Sequence, residues 1–135
     1  MKAVVVEDFK LIADVWVSLL KDSGFESIDV FKHSNEVIMG VERIQPDLIF
    51  MDINLPGDKS GLDLTEEILA RFPLIKIVVL TIHTEPTYVQ RALQAGAYGY
   101  ITKNSSVSEI RQGIQEVLAG NIYICKEIEN QQLKH

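Results

Sequence analysis

Residues 48–54 read Leu-Ile-Phe-Met-Asp-Ile-Asn, four apolar residues followed by a carboxylate and, two positions on, an amide. An unbroken apolar run after the breaker pair Pro46-Asp47 is the pattern of a strand buried on both faces of a parallel sheet. Asp52 then stands where that strand ends. In open α/β sheets ligands bind outside the carboxyl ends of the strands, so an acid here is a site candidate, with a plain turn-capping role as its alternative.

The same unit recurs along the chain. A first strand over residues 2–6 ends in Glu7-Asp8, and a helix over about 10–23 carries Leu11, Ile12, Val15, Trp16, Leu19 and Leu20 as an expected core stripe, closed by Gly24. Residues 28–31 form a second strand. Ser34 is the expected N-cap of a helix bearing Val37, Ile38, Val41 and Ile44, and His33 beside it reads as a solvated loop residue. The turn-rich loop 55–61 leads to a third helix with Leu62, Leu64, Ile68, Leu69 and Phe72. Residues 75–80 make a fourth strand ending at Thr81, and a fourth helix starts at Glu85 or Pro86 and closes at Gly96. A fifth strand over 98–102 ends at Lys103. Ser106 and Glu109 have capping-box spacing for a fifth helix, whose Val107, Ile110, Ile114, Val117 and Leu118 are expected to face the sheet.

Five strand-helix units predict a doubly wound parallel sheet with helices on both faces. At 135 residues, 47% hydrophobic and 24% charged, the chain has the size and make-up of one folded domain. That domain is expected over residues 1–120, with 121–135 as a C-terminal stub or linker. The single cysteine, Cys125, excludes an intrachain disulfide and a cysteine-based metal cluster. A net charge of −6 argues against direct nucleic-acid binding by these residues. The apolar runs are too short to span a membrane and the N-terminus is broken early by acids, so a cytoplasmic protein is expected.

On a parallel sheet the carboxyl ends share one edge, which gathers Glu7, Asp8, Asp52, Thr81 and Lys103. Three acids together repel one another unless a cation lies among them, and an all-oxygen set suits Mg²⁺. A carboxylate nucleophile, a metal, an amine and a hydroxyl suggest phosphoryl transfer to Asp52, with Lys103 and Thr81 meeting the phosphoryl oxygens.

Glu7-Asp8, Asp52-Ile-Asn-Leu-Pro56, Thr81 and Gly96-Ala-Tyr-Gly-Tyr-Ile-Thr-Lys103 together resemble the response-regulator receiver domains of two-component signalling. The resemblance implies a flavodoxin-like (βα)5 fold with Asp52 as phosphoacceptor. It further implies Glu7, Asp8, Asp52 and the backbone carbonyl of Asn54 around Mg²⁺, Thr81 as switch hydroxyl, Lys103 as phosphate partner and Tyr100 as switch aromatic. A sensor histidine kinase or phosphotransfer protein is the implied donor, and a phosphorylation-dependent homodimer the implied response. Such a domain is a signalling phosphoacceptor that catalyses only its own phosphorylation and dephosphorylation. The 96–103 run, with Val117-Leu-Ala-Gly-Asn-Ile-Tyr123, is most similar to the subfamily whose receiver precedes a LuxR-type helix-turn-helix output domain controlling transcription; that output domain is absent from these 135 residues.

Two features depart from the family pattern. Ile82 follows Thr81 where a small residue is usual, and is expected to crowd Asp52 or hinder Tyr100 from turning inward. The loop over 56–61 reads one residue longer than usual. Three other readings remain open: a stand-alone or pseudo-receiver acting by protein contact alone, a flavodoxin-like cofactor binder, and a haloacid-dehalogenase-like phosphatase, whose Asp-x-Asp pattern Asp52-Ile-Asn54 does not meet.

Overall fold

The structure, a computed structural model, describes residues 1–133. Strands β1 (Lys2–Val6), β2 (Ser27–Phe31), β3 (Leu48–Met51), β4 (Lys76–Thr81), β5 (Gly99–Thr102) and β6 (Tyr123–Ile124) form one sheet. Its order is β2-β1-β3-β4-β5-β6, with every pairing parallel. Between them lie α1 (Lys10–Asp22), α2 (Val37–Ile44), α3 (Gly61–Arg71), α4 (Pro86–Ala95) and α5 (Val107–Leu118), and α6 (Lys126–Leu133) follows β6. Helix α1 packs beside α5, while α3 packs against α2 and α4, so the sheet is covered on both faces.

The sheet is doubly wound as the sequence predicts, with one strand more than expected. Tyr123 and Ile124 pair with Gly99 and Tyr100, and the Cys125 N–H donates to the Tyr100 carbonyl at 3.0 Å. Two residues lack the length to show a strand period, which is why the sequence reads them as a stub. The extension is also held by side chains. Ser106 caps α5 by accepting from the Glu109 N–H at 3.1 Å. The Glu109 carboxylate, however, turns away from the expected capping box and accepts from the Tyr123 hydroxyl at 2.9 Å and the Lys126 N–H at 2.8 Å.

The core follows the strands. Every residue of β3 and β5 is buried, as are Ala3–Val6 and Ile77–Thr81. Burial of each such Val, Leu or Ile contributes about 1.5–3 kcal/mol. The expected stripe of α1 is split. Ala13, Trp16, Leu19 and Leu20 are buried, but Leu11 and Val15 are 70% and 47% exposed because they fall on the neighbouring line of the helix, turned away from the sheet. Val107, in the first turn of α5, is likewise exposed.

Ser34 does not cap α2. It opens a short 3₁₀ turn, Ser34–Glu36, whose N-cap is His33, with its ring Nδ1 accepting from the Asn35 N–H at 3.2 Å. Ser34 is buried and instead braces the long loop: its N–H donates to the Pro56 carbonyl at 2.9 Å and its Oγ accepts from the Lys59 N–H at 3.3 Å.

Candidate functional site

In this strand order the sheet is wound one way from β1 to β2 and the other way from β3 onward, and the crevice between β1 and β3 is where doubly wound sheets hold ligands. Glu7 and Asp8 follow β1, Asp52 follows β3, and the Asp52 N–H is tied to the Val6 carbonyl at 3.0 Å. The three acids are thereby brought together, each offering a carboxylate oxygen within 4.8 Å of the others. Glu7 and Asp52 are buried at 1% and 2% exposure, while Asp8 is exposed.

Lys103, after β5, reaches into this cluster. Its Nζ lies 2.7 Å from Glu7 Oε1 and donates to Asp52 Oδ2 at 3.1 Å. Burial works against the ammonium, but the two carboxylates outweigh it and hold the lysine charge more firmly than in water. Burial pushes the Glu7 carboxyl up in spite of the ammonium, and the charge of Asp52 adds to the rise. One lysine therefore serves two buried acids, with Asp8 beside them.

Asp52 Oδ1 is buried without a hydrogen-bond partner, whereas Glu7 Oε1 is met by the Lys103 ammonium. An unpartnered carboxylate oxygen inside a protein costs free energy unless a cation meets it. One such oxygen on Asp52, the Glu7 and accessible Asp8 carboxylates beside it, and no nitrogen or sulfur donor among the three make a set that fits a hard divalent ion such as Mg²⁺.

Thr81 is fully buried at the end of β4, and its hydroxyl accepts from the His83 N–H at 3.2 Å. The Lys103 N–H donates to the Thr81 carbonyl at 2.8 Å, so backbone pairing fixes these two residues relative to each other. Tyr100 is fully buried and points inward, its hydroxyl donating to the His83 carbonyl at 2.7 Å. Ile82, expected to crowd Asp52 or to hinder Tyr100, is 62% exposed, and Tyr100 stands inward beside it in this structure. Asn54 is exposed on the loop after β3, and its Oδ1 lies 3.0 Å from His83 Nε2.

His83 is the residue that sequence reasoning missed. Its ring reaches Asn54 on one side and Glu85 Oε2, at 3.3 Å, on the other, and packs edge-on against Tyr88. Reading only the first residue after each strand passes over it, because it stands two positions beyond Thr81. Helix α3 begins against the backbone of Asp52 and Ile53. Ser60 and Asp63 form a full capping box there, and the Gly61 N–H donates to the Ile53 carbonyl at 2.9 Å.

The family model for the response regulator receiver domain matches residues 3–115. Response regulator GacA of Pseudomonas syringae pv. syringae is 34% identical over 132 residues, which cover 97% of this chain and 61% of that protein. Oxygen regulatory protein NreC of Staphylococcus carnosus is 31% identical over 125 residues, 92% of this chain and 58% of the relative. This chain thus spans about three fifths of the length of those curated relatives. Among solved structures, a two-component response regulator of the LuxR family from Aurantimonas sp. SI85-9A1 superposes with a TM-score of 0.88 at 25% identity, covering 96% of this chain and 92% of that one.

Proposed function

Because the chain belongs to the response regulator receiver family, a family of signalling domains rather than classical enzymes, we propose that Asp52 accepts a phosphoryl group and that this phosphorylation switches the surface the domain offers to partners. The single observation that carries the reading is the buried Asp52 carboxylate, with one oxygen on Lys103 and the other unpartnered. An ionised carboxylate needs no general base. An oxygen of Asp52 attacks the phosphorus, the new P–O bond forms as the bond to the donor breaks, and the leaving group departs with the electron pair. The Lys103 ammonium is within reach of the oxygens that carry the growing charge, and the Thr81 hydroxyl meets another. Glu7, Asp8, Asp52 and the backbone carbonyl of Asn54 would hold Mg²⁺, which when bound neutralises charge on the phosphoryl group.

The aspartyl-phosphate adds negative charge beside Thr81, whose hydroxyl moves toward it. The link from Thr81 through His83 to the Tyr100 hydroxyl supports a route by which that movement reaches α4 and β5. Phosphorylation acts by favouring one of two arrangements already accessible to the chain. The phosphodonor is a sensor histidine kinase or phosphotransfer protein, and the switched surface makes a homodimer. The relatives are named as response regulators and regulatory proteins longer than this chain. This supports transcriptional control through a further domain, in the cytoplasm. No helix among the described residues is long and apolar enough to cross a membrane.

The test is chemical trapping. After incubation with acetyl phosphate and Mg²⁺, borohydride reduction converts an aspartyl-phosphate to homoserine, and peptide mass analysis locates it. Homoserine at position 52 is expected; modification elsewhere, with residue 52 intact, would overturn the assignment.

A further inference from the structure

Trp16 is the one tryptophan of the chain, and α1 places it 3% exposed beside the site. Its ring stands edge-on to Phe50, with centroids 5.9 Å apart and planes at 89°. Phe50 lies on β3 two residues before Asp52, so the indole is fixed against the strand that carries the acid. The Lys103 Nζ sits over the same indole, 5.5 Å from its centroid. Trp16 is therefore packed against the strand bearing Asp52 and touches the ammonium that serves it.

We propose that Trp16 is a positioning residue for Lys103, holding the ammonium over the site so that it is in place when a phosphoryl group arrives. The proposal rests on the reading of Asp52 as phosphoacceptor. Lysine reaches its partners through a flexible four-carbon stem and loses much rotamer freedom when it is fixed. Here the head has three supports, Glu7, Asp52 and the indole face. The two carboxylates belong to the acidic cluster and are the groups a cation or a phosphoryl group would engage. The indole carries no charge, so it keeps its hold on the ammonium when those carboxylates turn to other partners. Its face takes up positive charge without consuming a carboxylate, and indole is the strongest of the aromatic faces for this contact. Phenylalanine keeps a weaker face at the same place, and leucine fills space without one.

The experiment compares wild type, Trp16→Phe and Trp16→Leu, each first shown to be folded by urea denaturation. Phosphoryl incorporation is followed against acetyl phosphate concentration in the presence of Mg²⁺. Trp16→Leu is expected to lose about tenfold in maximal rate with little change in the half-saturating donor concentration, and Trp16→Phe to stay within about threefold of wild type. Equal rates in the two variants, whether slow or normal, overturn the proposal, because packing volume would then explain everything. A second measurement needs no donor and no metal. The emission of the single tryptophan is recorded in wild type and in Lys103→Met, and a change in wavelength or intensity is expected when the ammonium leaves the indole face. Unchanged emission overturns the proposal. If wild type takes up no phosphoryl group, the receiver chemistry fails on its own account, and the emission measurement alone decides the contact. It also decides should Trp16→Leu not fold.

Discussion

The Tyr100 hydroxyl donates to the backbone carbonyl of His83 at 2.7 Å, while the His83 N–H donates to the Thr81 hydroxyl at 3.2 Å. The loop after β4 is thus held from two sides, by a buried ring on β5 and by the last residue of β4. Tyr100→Phe keeps the ring and deletes one hydrogen bond, so it is expected to cost about 1 kcal/mol in urea denaturation and to speed amide exchange over residues 82–85. Tyr100→Ala leaves a cavity as well, and about 3–5 kcal/mol is expected by the same measurement.

Glu109 ties the chain beyond α5 back to the domain through Tyr123 and Lys126. Burial and then the Glu109 carboxylate push the Tyr123 phenol well above its ordinary range. In Glu109→Ala the phenol is expected to titrate at lower pH, as read by ultraviolet absorbance. The Lys126 amide is expected to exchange about tenfold faster, the size of effect that goes with losing a hydrogen bond worth about 1–1.5 kcal/mol. Glu109→Gln retains an acceptor and should fall between.

Gly61 opens α3 where the chain passes the backbone of Asp52. A Cβ at this position would lie 1.9 Å from the Asp52 carbonyl oxygen, with further contacts to backbone atoms of Asp52 and Ile53. No side-chain movement relieves a clash with backbone. Gly61→Ala is therefore expected to lose about 1–3 kcal/mol of stability in urea denaturation. It is also expected to slow phosphorylation by acetyl phosphate, because the displaced segment bears the acceptor.

Arg91 of α4 bonds to Asp63 and Glu66 of α3, at 2.6 Å to each. The Ser60 backbone N–H, followed by Arg91, holds the Asp63 carboxyl below its ordinary value of 3.8, and Arg91 holds Glu66 below 4.5. A carboxyl depressed in the folded state contributes stability above its unfolded value, and that contribution is lost as pH falls through the folded one. Wild type is thus expected to lose stability below pH 4.5 more steeply than the double variant Asp63→Asn, Glu66→Gln, as measured by thermal unfolding across pH 2.5–6. Parallel curves would show that the pairing carries no stability.

Much of this was legible in the sequence, for reasons that individual residues make plain. Strands buried on both faces announce themselves as apolar runs, so β3 and β4 were readable, and with them the placing of Asp52 and Thr81 at strand ends. Gly96 and Pro86 bounded α4 where the structure bounds it, since each marks a backbone conformation that few other residues favour. Contacts decided by tertiary geometry were not legible. His83 meets Asn54 only because two loops converge, and Glu109 abandons its capping box only because β6 brings Tyr123 and Lys126 to it. Leu11 and Val15 were misplaced because a helical stripe wider than the contact it makes does not tell which of its lines faces the sheet.

The most direct test of the central claim is intact mass after incubation with acetyl phosphate and Mg²⁺, for wild type and Asp52→Ala in parallel, with and without a chelator. The account predicts a gain of one phosphoryl group by wild type alone, abolished by chelation. An equal gain by Asp52→Ala, or a gain by wild type indifferent to the chelator, would contradict it.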